Sequence, residues 1–232
     1  MSFFDFVVIL AIIGVMLGAL SVSKSATNRE QAAQMRRKKI RDLRNELVDI
    51  DELLHTLLVY DRNTDLLDSL HDRMLTDLNQ GLRLLPDSED LIEDLQALDT
   101  LKAQIEQLKV TPLAPEVPKS DRQIFLLKRH FSRATKFIRD MTAQGDMDQQ
   151  ACEIHRNRLQ TSSVMLEVSA YRRQGHDAKE RGEIASAANF YKHAKEVLTN
   201  TELKFDDRLP LIKTVSREIS GLYLTHKDDP GG

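Results

Sequence analysis

The chain has 232 residues, 41% hydrophobic and 30% charged, with only 9 glycines and 6 prolines; that composition excludes a disordered chain and points to folded helical protein, as one domain or two small ones. The net charge is −3, tryptophan is absent, aromatics make up 5%, and there is one cysteine. This excludes an internal disulfide framework and a Cys-based zinc site, and leaves few rings on which nucleic-acid bases would stack.

The charge is unevenly spread. Residues 24–45 carry eight bases against two acids, residues 46–110 sixteen acids against five bases, and residues 111–232 twenty bases against seventeen acids. A basic block beside an apolar run predicts contact with a membrane surface. The apolar run is Phe6 to Leu20, extended by its flanks to residues 3–22. That is about the 20 residues needed to cross a ~30 Å hydrocarbon layer. No base precedes it, so the positive region of a secretory signal is missing. All the positives follow it, which predicts an uncleaved anchor over residues 1–23, with the N-terminus outside and residues 23–232 in the cytoplasm. The expected location is a bacterial-type inner membrane. Gly14 and Gly18 form a GxxxG pair through which two such spans can approach and self-associate.

Residues 24–60 read as a basic juxtamembrane helix. Arg36, Arg37, Lys38, Lys39, Arg41 and Arg44 form a collar that fixes orientation and binds anionic lipid headgroups, at ~1 kcal/mol per base near the surface. Ile40, Leu43, Leu47, Ile50, Leu54 and Leu57 follow at alternating spacings of three and four. That rhythm suits a homodimeric coiled coil, while Leu53, Leu58 and Val59 widen the stripe as in a bundle helix. Both readings stay open.

Residues 61–109 read as an acidic helical hairpin. Asn63-Thr64-Asp65 offers a start, and Leu66, Leu70, Met74 and Leu78 recur every fourth residue. Gly81 and Pro86 are expected to end that helix, and Asp87 or Ser88 to cap the next. The expected outer face carries Asp65, Asp68, Asp72, Asp77, Asp90, Glu93, Asp94 and Asp99. Acids at this spacing form a solvated face; the alternating acids of a calcium loop are absent. Residues 110–120 are a Pro-rich linker that cannot be helical, placed here as the domain boundary.

Residues 121–226 read as a helical domain. Ser120 or Asp121 caps a helix with Ile124, Leu127, Phe131, Ala134, Ile138 and Met141 on one stripe, broken at Gly145. A long helix follows, then "VSAYRRQGHDAKERGEIASAANFYKHAKEVLT" over residues 168–199. Small residues here let two helices approach closely, and the rings of Tyr171 and Tyr191 fill the space between them. This stretch resembles a tetratricopeptide repeat: Tyr171 and Gly175 in a first helix, Gly182 at the turn, then Ala187, Tyr191 and Ala194 in the second. It departs from that family at Gln174, Ala178 and Thr199. The resemblance implies protein–protein binding through a concave helical surface, with Tyr171, Arg172, Gly175 and Tyr191 at the partner site. A last helix with Leu211, Val215, Ile219 and Leu222 caps the domain, and residues 227–232 are expected to fray.

Chemistry is thin. There is no phosphate loop, nucleophile elbow, HExxH or CxxC, and Cys152 reads as a small apolar helix residue. His155, His176, Asp177 and Asp206 supply the letters of a His/Asp metal-dependent phosphohydrolase without a convincing spacing. The chain is therefore expected to be an all-α, single-span membrane scaffold that holds a partner protein and lacks a catalytic site, cofactor, metal or nucleic-acid ligand. Alternatives are a purely structural coiled-coil homodimer and, below it, the phosphohydrolase-like enzyme.

Overall fold

A computed structural model describes residue 31 and residues 34–225. Among them there are seven helices and no strand. Helix α1 covers residues 34–60, followed by α2 (Thr64–Leu84), α3 (Glu89–Val110), α4 (Asp121–Gln144), α5 (Gln149–Glu180), α6 (Ile184–Asn200) and α7 (Arg208–Thr225). No helix among the described residues is long and apolar enough to cross a membrane. The apolar run 3–22, with Gly14 and Gly18, lies outside the described residues, as do residues 227–232.

The helix ends follow ordinary capping chemistry. The side chains of Asn63, Ser120 and Asp148 accept hydrogen bonds from the first free amides of α2, α4 and α5, which would otherwise lack partners. Gly145 ends α4 at φ 87°, a conformation glycine adopts without steric cost. Arg62 takes the equivalent place after α1 at φ 58° although it is not glycine.

Five of the six heptad residues of α1 are buried inside the chain, and Ile40 is half-buried. Leu43, Leu47, Ile50, Leu54 and Leu57 join Leu66, Leu70 and Leu78 of α2, Leu91, Leu98 and Ile105 of α3, and Leu127, Phe131 and Ile138 of α4 in one core. The core thus draws on both sides of the Pro-rich segment. That segment is non-helical from residue 111 to residue 120 and lies fixed against the α1–α2 corner. The Glu116 amide donates to the Val59 carbonyl at 3.0 Å, Arg62 donates to the Ala114 carbonyl, and Pro118 is buried.

Two expectations for the acidic hairpin are corrected. Gly81 does not end α2, which runs on to Leu84. A Cβ there would meet Leu91 at 3.0 Å and Leu43 at 3.1 Å, so the glycine serves close helix approach. Asp77 is not on the outer face but buried against Arg73. Arg73 donates to Asp77 at 2.9 Å, to Glu46 of α1 at 2.7 Å, and to Asp146 in the α4–α5 turn. One guanidinium thus ties three parts of the bundle, its five donors placed in a rigid fork. Asp68 is likewise turned inward, at 2.7 Å from both Lys102 and Lys109 of α3.

Helix α5, about 48 Å long at ~1.5 Å per residue, links this core to a second one. Its first half gives Cys152, Leu159 and Leu166 to the first core. Its second half gives Val168 and Ala178 to a smaller core with Ala187, Tyr191, Ala194 and Leu198 of α6 and Val215 and Leu222 of α7. Leu166 and Val168 stand about 200° apart around the helix axis. The buried side therefore changes face within three residues, and one helix serves two layers.

Candidate partner-binding groove

The α5–α6 hairpin closes on a glycine and a ring. A Cβ on Gly175 would lie 2.6 Å from the Tyr191 ring, closer than nonbonded carbons approach. Tyr191 is 1% exposed. Its hydroxyl shares a hydrogen bond with His176 Nδ1 at 3.0 Å, and the two rings meet edge to face at 5.5 Å, a favoured aromatic arrangement. Burial, and then the Glu218 carboxylate, push the Tyr191 phenol above its ordinary range. Arg172 reaches across to α7, where it grips both carboxylate oxygens of Glu218, with Nε 3.0 Å from Oε2. Such bidentate, charge-assisted pairing fixes orientation as well as adding energy.

Tyr171 has a different setting. It is half-buried, its ring centre 5.7 Å from that of His193, and it lines a cavity of about 470 Å³ with Lys128, Glu167, Glu196 and Asn200. A second cavity of about 480 Å³ adjoins at Lys128 and is lined by Phe131, Ser132, Thr135, Leu159, Ser163 and Leu203. Together they form a groove over the middle of α5, walled by α4 on one side and by α6 with the segment after it on the other. Apolar patches of Phe131, Leu159, Val164 and Val197 alternate with hydroxyl and amide groups. The Lys128 Nζ stands 2.8 Å from Glu167 across the groove. Burial, then the negative charges of Asp121 and Glu167, raise the Tyr171 phenol. The groove thus offers shape, hydrogen-bonding groups and one ion pair.

The four residues marked from the sequence fall into two roles. Tyr171 faces the groove. Gly175 and Tyr191 form the hairpin's interior, and Arg172 is engaged with Glu218. The groove residues missing from the sequence reading are Lys128, Ser132, Glu167, His193 and Asn200. They come from three helices and carry no shared motif.

The basic collar also divides. Arg36 donates to the Leu84 carbonyl at the end of α2, satisfying one of the carbonyls a helix end leaves open. Arg44 pairs with Asp90 in the first turn of α3 at 3.1 Å. Arg37, Lys38, Lys39 and Arg41 are exposed and make no ion pair or side-chain hydrogen bond among the described residues.

The His/Asp set does not converge. His155 and His176 lie on one continuous helix, about 30 Å apart at ~1.5 Å per residue. Among the described residues no group of three His, Cys, Asp or Glu side chains is placed to hold a metal ion. Cys152 is buried. Comparison with protein-family models, with curated proteins and with solved structures finds no match for this chain. The likeness of residues 168–199 to a tetratricopeptide unit therefore rests on the hairpin's own packing.

Proposed function

We propose that this chain is a membrane-anchored helical scaffold, held in a bacterial-type inner membrane by residues 1–23. On this reading residues 23–232 lie in the cytoplasm, and the α4–α5–α6 groove holds a partner protein. The groove over α5 is the observation that carries the reading. It is long, partly apolar, and lined by polar groups able to fix a peptide backbone. Arg37, Lys38, Lys39 and Arg41 of α1 support the membrane side, since they lie on the C-terminal side of the apolar run, are exposed, and make no ion pair among the described residues. The coiled-coil alternative loses its main support, because the α1 leucines that would form the seam are used within the chain.

The test fills the groove without touching either core. Tagged full-length protein and a Ser132→Trp/Ser163→Trp variant are purified from membranes under matched conditions. Proteins held by the wild type and lost by the variant support the proposal; identical partner sets sink it. A reporter fused after residue 232 tests the topology separately. Activity on the outer side of the membrane overturns the cytoplasmic assignment.

A further inference from the structure

A second groove runs between α1 and α3, and its character is acidic. Two adjoining cavities, of about 450 and 260 Å³, share Asp51, Met74 and Asp94. Their apolar floor is Met74 with Leu47, Leu91 and Leu98, and Asp90 stands at one end; Glu93 adds its charge next to Asp94. Burial, followed by the charges of Asp51, Asp90 and Glu93, holds the Asp94 carboxyl above its ordinary range. Arg44 offsets Asp90 at that end, and His55 lies 3.3 Å from Asp51 at the other. Along α1 the groove runs from residue 44 to residue 55, about 16 Å at ~1.5 Å per residue.

On the other flank of α1 stands a surface of opposite chemistry. Arg133 of α4 pairs with Asp49 and Glu52, which fixes α4 on the side of α1 away from Asp51 and His55. Outward from that contact, Arg122, Arg129 and Lys136 recur every seven residues. They therefore lie nearly in line, drifting only ~20° per heptad. All three are exposed, and none makes an ion pair or side-chain hydrogen bond among the described residues. Phe125 and Leu126, between the first two, are 68% and 39% exposed. Arg122 to Arg129 measures about 10 Å along the helix, so this patch fits within the length of the acidic groove.

A basic helix face bearing two apolar side chains is the complement of an acidic groove with an apolar floor, the helix-in-groove mode of recognition. Because the two surfaces lie on opposite flanks of α1, one chain cannot join them to each other. We propose that the α1–α3 groove receives the Arg122–Arg129 face of α4 from a second copy of this chain, so that copies join head to tail. Arg122 and Arg129 meet Asp51 and Asp94, and Phe125 and Leu126, on either side of them around the helix axis, pack along the apolar lining of the groove. Each joined pair then keeps one groove and one strip for further neighbours, since such a contact is heterologous. Anchoring in a membrane favours the contact by confining the copies to two dimensions.

The test is charge reversal with rescue, on full-length chain in non-ionic detergent, read by sedimentation velocity. The wild type is expected to self-associate, and to dissociate on passing from about 0.1 M to about 1 M salt, where the Debye length falls from ~10 to ~3 Å. Arg122→Glu/Arg129→Glu and Asp51→Lys/Asp94→Lys are each expected to weaken association by at least about tenfold. Mixing the two variants is expected to restore it, which also shows that both remain folded. Phe125→Asp, at a residue that supports no core, gives an independent loss. A wild type that stays monomeric overturns the proposal, and so does a mixture that fails to associate. Association that survives both reversals and high salt belongs to another surface, and overturns it too.

Discussion

The two cores of this chain are assembled from different side chains. Leucine supplies fifteen of the twenty-four residues buried in the first core; in the second, alanine supplies four of nine and a single tyrosine fills the gap between helices. Large flexible side chains hold α1 to α4 apart and interdigitate, so a lost or added methyl group is shared among many neighbours. Small residues bring α5 and α6 close, and the fit depends on one ring lying over one glycine. The first arrangement secures a bundle; the second fixes a hairpin and with it the wall of the groove. The two should differ in how they respond to the same kind of substitution.

The largest expected effect is at that ring. Tyr191→Ala removes a fully buried aromatic side chain and is expected to cost about 3–5 kcal/mol, seen as a lower midpoint in urea unfolding. Gly175→Leu added to it is expected to recover part of the loss, because the new side chain enters the vacated space. A double variant no more stable than Tyr191→Ala would show that the ring and the glycine are not complementary.

A pair of glycines sharpens the contrast. Both Gly81 and Gly175 sit within helices, where alanine gains about 1 kcal/mol in propensity. At Gly81 the new Cβ meets the methyl ends of Leu91 and Leu43 at 3.0 and 3.1 Å; at Gly175 it meets the buried Tyr191 ring at 2.6 Å. Overpacking costs about 1–3 kcal/mol, least where the neighbour can rotate away. Gly81→Ala is therefore expected within about 1 kcal/mol of neutral and Gly175→Ala clearly destabilised. Equal stabilities for the two variants, measured in the same denaturant series, would erase the proposed difference between cores.

Much of this was legible in the sequence, and the limits have a physical cause. All six stripe residues of α4, Ile124 to Met141, are buried, because a 3.6-residue period is set by the chain's own geometry. Asn63 and Gly145 also act as the caps their types suggest. The Arg73 hub was not legible: Glu46, Asp77 and Asp146 come from three elements, and on periodicity alone Asp77 belongs to a solvated face. Nor was the groove, whose Lys128–Glu167 pair spans 39 residues. The face change of α5 defeats any single stripe, since each half is amphipathic about a different direction.

The Arg172–Glu218 pair marks how the second core is closed. Both side chains are half-buried, and hydrogen bonds to a charged group contribute about 1.5–3 kcal/mol. Arg172→Met keeps the stem and removes the fork, leaving Glu218 with only His176 at 3.6 Å. A loss of about 2 kcal/mol is expected, concentrated in hydrogen-exchange protection of α7, with α1 to α4 little changed. Uniform loss of protection across the chain would contradict the separation of the two cores.

The smallest expected effects are in pH, and they too distinguish the cores. His155 lies in the first core with Nδ1 unpartnered. Burial first, and the Arg158 charge second, hold its pKa below the ordinary 6.5, against weaker opposing effects of Asp65, Asp61 and Asp148. The unfolded chain then binds a proton at higher pH than the folded chain does, so stability falls as pH drops below about 6.5. In the second core the Tyr191 phenol is raised above 10. There the unfolded chain releases its proton first, and stability falls as pH rises beyond about 10. Other groups titrate in both ranges, so each effect is read as a difference against a matched variant. His155→Gln is expected to flatten the acid slope and leave the alkaline slope unchanged, and Tyr191→Phe to do the reverse. If either variant flattens both slopes, the two sites are coupled through α5, and the shared helix transmits what the separate cores were expected to confine.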